Sequence, residues 1–177
     1  FTDYVNLFTV VGGVTVTLLC LLHGLMFLTL KTVGDLRNRA RSLARIVMIP
    51  VFLFLVAFTG MAFFETDMFK VKAQITVPLI LLIVVAYVLA AVFISKKRDG
   101  WSFTMTGLGI VLTVATMFTS LFPRVMISSI KNAYDLTVYN ASSGPYSLKV
   151  MTIVACTLLP FVLGYQIWSY YVFRKRV

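Results

Sequence analysis

The sequence predicts an all-α integral membrane protein: about five transmembrane helices forming a bundle, with the N-terminus outside and the C-terminus cytoplasmic. Hydrophobic residues make up 60% of the chain and its mean hydropathy is +0.95. Charged residues make up only 12%, against roughly 25% in soluble domains. Apolar runs of about 20 residues, each able to cross a hydrocarbon core of roughly 30 Å, recur along the chain.

These runs define five predicted spans within a single transmembrane helical domain over residues 1–177. The spans cover roughly residues 7–30, 46–64, 75–95, 101–122 and 150–173. The first span contains Gly12-Gly13 and His23-Gly24. Glycines are small and let neighbouring helices approach closely. We therefore interpret these glycines as packing contacts.

A basic segment separates the first two spans. It runs from Lys31 to Arg45, and its second half has helical propensity, so it could lie along the membrane surface. Pro50 falls in the opening turns of the second span, where a lost hydrogen bond is partly tolerated.

The third and fourth spans are joined by a tight basic turn, Lys96-Lys97-Arg98-Asp99-Gly100, which suits antiparallel neighbours. Trp101 begins the fourth span at a membrane interface. Pro123 disfavours a helical Phe122 and so is expected to end that span. The long segment that follows mixes apolar and charged residues, which predicts an amphipathic surface segment.

The fifth span has a polar approach and a charged end. Ser142 and Ser143 are candidate helix caps, and Pro145 suits a first helical turn. Pro160 predicts a kink, because it removes an amide donor inside the span. The span ends on interfacial aromatics and then on Arg174, Lys175 and Arg176.

Lys and Arg are retained on the cytoplasmic side of a membrane, and this decides the predicted orientation. The richest basic clusters lie after the first span, after the third span and at the C-terminus. We assign their cations to topology and lipid contact: Arg37, Arg39, Arg41, Arg45, Lys96, Lys97, Arg98, Arg174, Lys175 and Arg176. The net charge of +10 therefore indicates a membrane partner and no nucleic acid, since the cations flank apolar spans.

Catalytic patterns are missing from the sequence. All six acids lie in loops or at span ends, and no nucleophile triad, phosphate-binding loop or metal-ligand spacing is present. Cys20 and Cys156 lie inside spans without a Cys cluster, so we expect buried hydrophobes and neither a disulfide nor a zinc site. The sequence predicts no catalytic residue and no metal site.

His23 is the weak cofactor-binding candidate. An imidazole about two turns from the cationic end of the first span could ligate haem iron, relay a proton or donate to a quinone carbonyl. Cys20, one turn earlier, could pair with it. The competing interpretation is a histidine that is hydrogen-bonded to a neighbouring helix. This interpretation is favoured because the sequence offers no second haem ligand at the same depth in the membrane.

Several motifs, taken in order, resemble subunit II of the cytochrome bd-type quinol oxidases, and the match covers nearly the whole chain as the C-terminal half of that subunit. They are His23-Gly24, Leu30-Lys31-Thr32, Gly34-Asp35-Leu36, Asp99-Gly100-Trp101-Ser102-Phe103, Leu121-Phe122-Pro123, Tyr139-Asn140-Ala141-Ser142-Ser143, Pro145-Tyr146, Leu148-Lys149, Tyr165-Gln166-Ile167-Trp168 and Phe173-Arg174-Lys175-Arg176.

The resemblance implies a bacterial cytoplasmic-membrane complex that oxidises quinol and reduces dioxygen to water. In that family the haem b and haem d groups belong to subunit I, so this chain is expected to bind no cofactor and to carry no catalytic centre. Its expected partners are subunit I, preceding helices of its own subunit and membrane lipid, with a small single-span subunit as a further candidate.

A different function class stays open from the residues alone. The chain could be a segment of a secondary transporter that binds a small solute at the kinked fifth helix. Such transporters usually show inverted repeats and charge near the membrane midplane, and the sequence has neither.

Overall fold

The computed structural model describes residues 6–66, 69, 72–126, 128 and 134–174. Within these residues five helices are long and apolar enough to cross a membrane, which confirms the predicted class and the number of spans. The chain divides into two compact units, with the boundary between Ser120 and Leu121. The single domain over residues 1–177 and the orientation of the termini stay predictions.

Helix α1 spans Leu7–Lys31 and begins with a reciprocal cap. The Asn6 side chain accepts a hydrogen bond from the Thr9 backbone N–H at 2.8 Å, and the Thr9 hydroxyl accepts one from the Asn6 backbone at 3.1 Å. This pairing satisfies two backbone donors that a helix start leaves free. Gly12 packs as predicted, since an added Cβ would lie 3.0 Å from the Phe58 ring, whereas Gly13 and Gly24 face open space.

Helix α2 spans Gly34–Glu65 without interruption and contains Pro50. The helix predicted for the second half of the basic segment is confirmed, but the prediction that this segment is separate from the second span was wrong. No Gly or Pro lies between Asp35 and Ile49, so helix propensity carries the apolar span back through the arginines. At 1.5 Å per residue the helix is about 48 Å long, so its basic start extends beyond a hydrocarbon core of roughly 30 Å.

Helices α3, Ala73–Ser95, and α4, Asp99–Leu121, form an antiparallel pair. Near the turn the Ser102 hydroxyl lies 3.4 Å from the Ala90 carbonyl oxygen, and further along Gly109 lies against Tyr87. Helix α4 ends two residues before Pro123, as the sequence predicts.

The core of the first unit is formed by the apolar faces of three helices and by a face of a fourth helix that carries small, mostly polar residues. Helices α1, α2 and α3 contribute the apolar side chains: Leu19, Leu22, Met26, Ala44, Met48, Val51, Ile83, Tyr87, Ala90 and Ile94. Helix α4 turns Ser102, Thr106 and Gly109 towards them. Cys20 is exposed, as is Cys156 in the second unit, so the expectation of buried cysteines was wrong. Cys20 lies on the outer face of α1, beside the inward-facing Leu19.

The second unit begins with a short antiparallel pair, β1 (Arg124–Met126) and β2 (Leu136–Thr137). The described part of the predicted amphipathic surface segment thus contains this strand pair. Helix α5 spans Pro145–Val172, with Pro145 in its first turn as predicted. Gly144 occupies the cap position and no side chain caps the helix, so the prediction of Ser142 and Ser143 as caps was wrong.

Candidate functional site

A buried carboxylate joins α2 to α4. Asp99 is the first residue of α4, and its side chain is only 3% exposed. Arg41 donates from Nε to Oδ1 at 3.0 Å and from Nη2 to Oδ2 at 2.6 Å. Arg37 donates to Oδ2 from Nε at 3.0 Å and from Nη2 at 2.6 Å. We call this group of three side chains the ionic junction.

The local sequence explains the geometry of the ionic junction. Arg37 and Arg41 are four residues apart, so they lie on the same face of α2. Asp99 stands at the N-terminus of α4, where the helix dipole favours a negative charge. Planar guanidinium groups suit a carboxylate that must accept several bonds, and they leave the junction with one excess positive charge. A lone carboxylate buried at this position would be strongly unfavourable.

The remaining cations of the basic clusters lie at the surface. Exposed side chains are those of Arg39, Arg45, Lys96, Lys97, Arg98 and Arg174. The Arg174 guanidinium lies over the Tyr171 ring, 4.3 Å from its centre. Lys175 and Arg176 lie outside the described residues. A role of all these cations in topology and lipid contact stays a prediction, to which the structure adds the bonds of Arg37 and Arg41 to Asp99.

His23 lies at the contact of α1 with α4. Its Nδ1 is 2.9 Å from the Thr106 hydroxyl, which itself donates to the Phe103 carbonyl at 2.9 Å. Because the Thr106 hydroxyl donates its proton in that bond, its oxygen can accept a hydrogen bond from a protonated Nδ1. The Phe103 ring stacks on the imidazole with 4.4 Å between ring centres, and a Cβ on Gly107 would lie 3.2 Å from Cε1. His23 therefore has the geometry of a histidine bonded to a neighbouring helix.

Other side chains that could bind a metal or a haem iron either bond to a neighbouring residue or lack further ligands close by. The Met26 sulfur accepts a hydrogen bond from the buried Ser102 hydroxyl at 3.0 Å. Within the described residues, no three His, Cys, Asp or Glu side chains form a group that could hold a metal ion. The described part of the chain thus contains no multidentate metal site of these residue types.

An apolar cavity of about 440 Å³ lies between the C-terminal half of α2, the N-terminal half of α3 and the C-terminal half of α4. Its lining includes Phe52, Phe63, Ile80 and Met117. Thr113 and Thr116, which also line it, direct their hydroxyls to the carbonyls of their own helix at 2.8 and 2.7 Å. The cavity therefore offers an apolar surface with few free polar groups.

Comparison with known proteins decides the family. The sequence profile described as cytochrome bd terminal oxidase subunit II matches residues 1–173. The chain belongs to this family. The resemblance seen in the sequence motifs is thereby confirmed, and the transporter alternative finds no support.

Relatives from three bacteria extend the match. The chain is 63% identical over 176 residues to cytochrome bd ubiquinol oxidase subunit 2 of Bacillus subtilis (strain 168), covering 99% of the chain and 52% of the relative. It is 28% identical over 199 residues to a probable cytochrome oxidase subunit 2 of Haemophilus influenzae. This match covers 96% of the chain and 52% of the relative. It is 26% identical over 207 residues to cytochrome bd-I ubiquinol oxidase subunit 2 of Escherichia coli (strain K12). This match covers 100% of the chain and 54% of the relative. The chain spans about half the length of these relatives.

Two partners in these sites were not predicted from the sequence. Asp99 was treated as part of a basic turn, although a chain with 16 cations and 6 acids has more than two cations for each carboxylate. Thr106 was not singled out, although Ser102, Thr106 and Gly109 recur at helical spacing. A small polar face on an apolar helix indicates a buried helix contact, and this signal could have identified the partner of His23.

Proposed function

We propose that the chain forms part of subunit II of a bacterial quinol oxidase, a membrane complex that oxidises quinol and reduces dioxygen to water. Family membership and the names of the relatives, two of them ubiquinol oxidase subunits, support this proposal. Five helices able to span a membrane agree with a multi-pass subunit. In this role the chain stabilises the haem-bearing subunit I through helix packing.

The packing of α4 around the potential ligands supports the proposal that this chain ligates no haem. His23 is the chain's one histidine. Its half-buried ring packs against α4, since a Cβ built on Gly107 would lie 3.2 Å from Cε1. Phe103 covers a face of the ring, and the Met26 sulfur is buried against Ser102. These contacts engage both donors within the helix bundle, which supports assigning the haem b and haem d groups to the partner subunit.

Separate expression of the subunits tests this assignment. Full-length subunit II produced without its haem-bearing partner should insert into the membrane and show no haem absorbance. The partner and the whole complex, prepared in the same way, are the controls. A haem spectrum from subunit II alone would contradict the proposal.

The proposed orientation places the basic start of α2 and the turn between α3 and α4 in the cytoplasm. This orientation rests on the clusters of Lys and Arg at these two places, where several of the side chains are exposed. In a complex with Cys20 and Cys156 replaced by Ser, a membrane-impermeant maleimide should label Tyr139→Cys in intact cells. Arg39→Cys should react only after permeabilisation. The reverse pattern would overturn the orientation.

A further inference from the structure

A small pocket lies beside the ionic junction. It has a volume of about 180 Å³ and is lined by Asn38, Arg41, Ser42, Arg45 and Lys97. The first four are spaced at i, i+3, i+4 and i+7, so they share one face of α2. Lys97 reaches the pocket from the turn between α3 and α4. Cations from separate elements thus converge on one concave site that also offers an amide and a hydroxyl.

The charge balance of the pocket favours an anion. Asp99 pairs with Arg41 and Arg37, which fixes the Arg41 side chain at 10% exposure and still leaves the junction one positive charge. Among the described residues, the salt bridges of this unit engage neither Arg45 nor Lys97. Arg39, Lys96 and Arg98 add positive charge nearby, and the acid on this part of α2 is the exposed Asp35. A rigid arginine flanked by two further cations suits a phosphate group.

The backbone at Lys97 gives an independent reason to regard its side chain as functional. Helix α3 ends in a motif in which Arg98 N–H bonds to the Phe93 carbonyl at 2.9 Å and Lys97 N–H to the Ile94 carbonyl at 3.2 Å. This motif places Lys97 at φ +58°, a left-handed position that usually holds glycine. The chain therefore keeps a lysine where glycine would fit the backbone better.

The level of the pocket in the membrane indicates the source of the phosphate. Arg45 directly precedes the apolar run that begins at Ile46, and Lys97 follows the end of α3 at Ser95. The pocket thus lies where apolar spans meet polar surroundings. Below Arg45 on the same helix, Ile49 and Leu53 are exposed, at 73% and 66%. They offer apolar surface to an acyl chain whose headgroup occupies the pocket.

We propose that this pocket binds the phosphate of an anionic glycerophospholipid. Arg45 and Lys97 contact the phosphate oxygens, Arg41 adds a fixed positive charge, and Asn38 and Ser42 offer hydrogen bonds to the headgroup. The acyl chains lie along Ile49 and Leu53. A cation near an anionic surface contributes roughly 1 kcal/mol, which corresponds to about fivefold in affinity.

Lipid binding to the purified oxidase complex tests the proposal. Native mass spectrometry would follow titration of the delipidated complex with dioctanoyl phosphatidylglycerol. Dioctanoyl phosphatidylcholine, whose zwitterionic headgroup carries no net charge, is the control and should bind more weakly. Lys97→Gly removes the side chain and suits the backbone, so the turn is expected to fold. We expect this variant and Arg45→Gln each to weaken phosphatidylglycerol binding about fivefold, and the double variant about 30-fold.

Matched controls separate the alternatives. Arg39→Gln removes an exposed cation of the same helix that does not line the pocket, and should weaken phosphatidylglycerol binding less than Arg45→Gln does. An equal loss in Arg39→Gln would show diffuse surface attraction and overturn the proposal. Inorganic phosphate is the third probe. If it displaced phosphatidylglycerol at equal concentration, the pocket would be a site for free phosphate and the lipid assignment would be wrong.

Discussion

Replacing Asp99 by Asn tests the ionic junction directly. The substitution keeps the size of the side chain but removes the charge that two arginines surround at 2.6 to 3.0 Å. Arg41, at 10% exposure, would then be a buried cation without its counterion. Removing one partner of a buried ion pair costs about 3–5 kcal/mol, and the 30% exposure of Arg37 places this case near about 3 kcal/mol.

The effect can be measured on the detergent-solubilised complex. At about 2 °C or more per kcal/mol, the loss of about 3 kcal/mol should lower the apparent thermal midpoint by about 6 °C or more. Asp35→Asn is the matched control, because it makes the same charge change at an exposed position in the first turn of α2. It should leave the midpoint nearly unchanged, since exposed charges contribute little.

A double-mutant cycle separates the ion pair from a general loss of charge. Asp99→Asn combined with Arg41→Gln should cost less than the sum of the two single changes, because the double variant no longer buries an unpaired charge at position 41. Equal stability of Asp99→Asn and Asp35→Asn, or strict additivity in the cycle, would refute the reasoning.

Further predictions concern the contact of α3 with α4 and use the same thermal assay. Gly109→Ala should destabilise the complex by about 1–3 kcal/mol, because the new Cβ would lie 2.6 Å from the ring of the fully buried Tyr87. Gly13→Ala, which meets nothing within 4 Å, is its control, and equal effects would contradict the packing account. Tyr87→Phe should be neutral or stabilising by up to about 1 kcal/mol, because the Tyr87 hydroxyl is buried without a hydrogen-bond partner in the described part of the chain. A clear loss of stability would reveal a partner for that hydroxyl.

The sequence predicts the spans well because hydropathy and length act locally. The turn at Lys96–Asp99 and the end of α4 before Pro123 follow from charge and proline placement alone. The start of α2 was misplaced because hydropathy stops at Ile46, whereas backbone hydrogen bonding continues through the arginines to Gly34.

The sites were harder to predict because they depend on contacts between distant residues. Arg41 and Asp99 are 58 positions apart, and His23 and Thr106 are 83 apart. Such pairs are determined by the packing of whole helices, which no local pattern specifies. The sequence could assign a positive cluster to the start of α2, but it could not show which of these arginines bond Asp99 or that Arg41 also lines the pocket.

The central claim is that this chain packs against a haem-bearing partner without ligating haem, and His23→Ala in the purified complex tests it most directly. Thr106→Val is the matched variant, since it removes the hydrogen bond but keeps the imidazole. The reduced-minus-oxidised spectrum per complex should keep every haem band in both variants, with at most a lower yield of complex. Loss of a haem band in His23→Ala at unchanged yield, with the band retained in Thr106→Val, would contradict the claim.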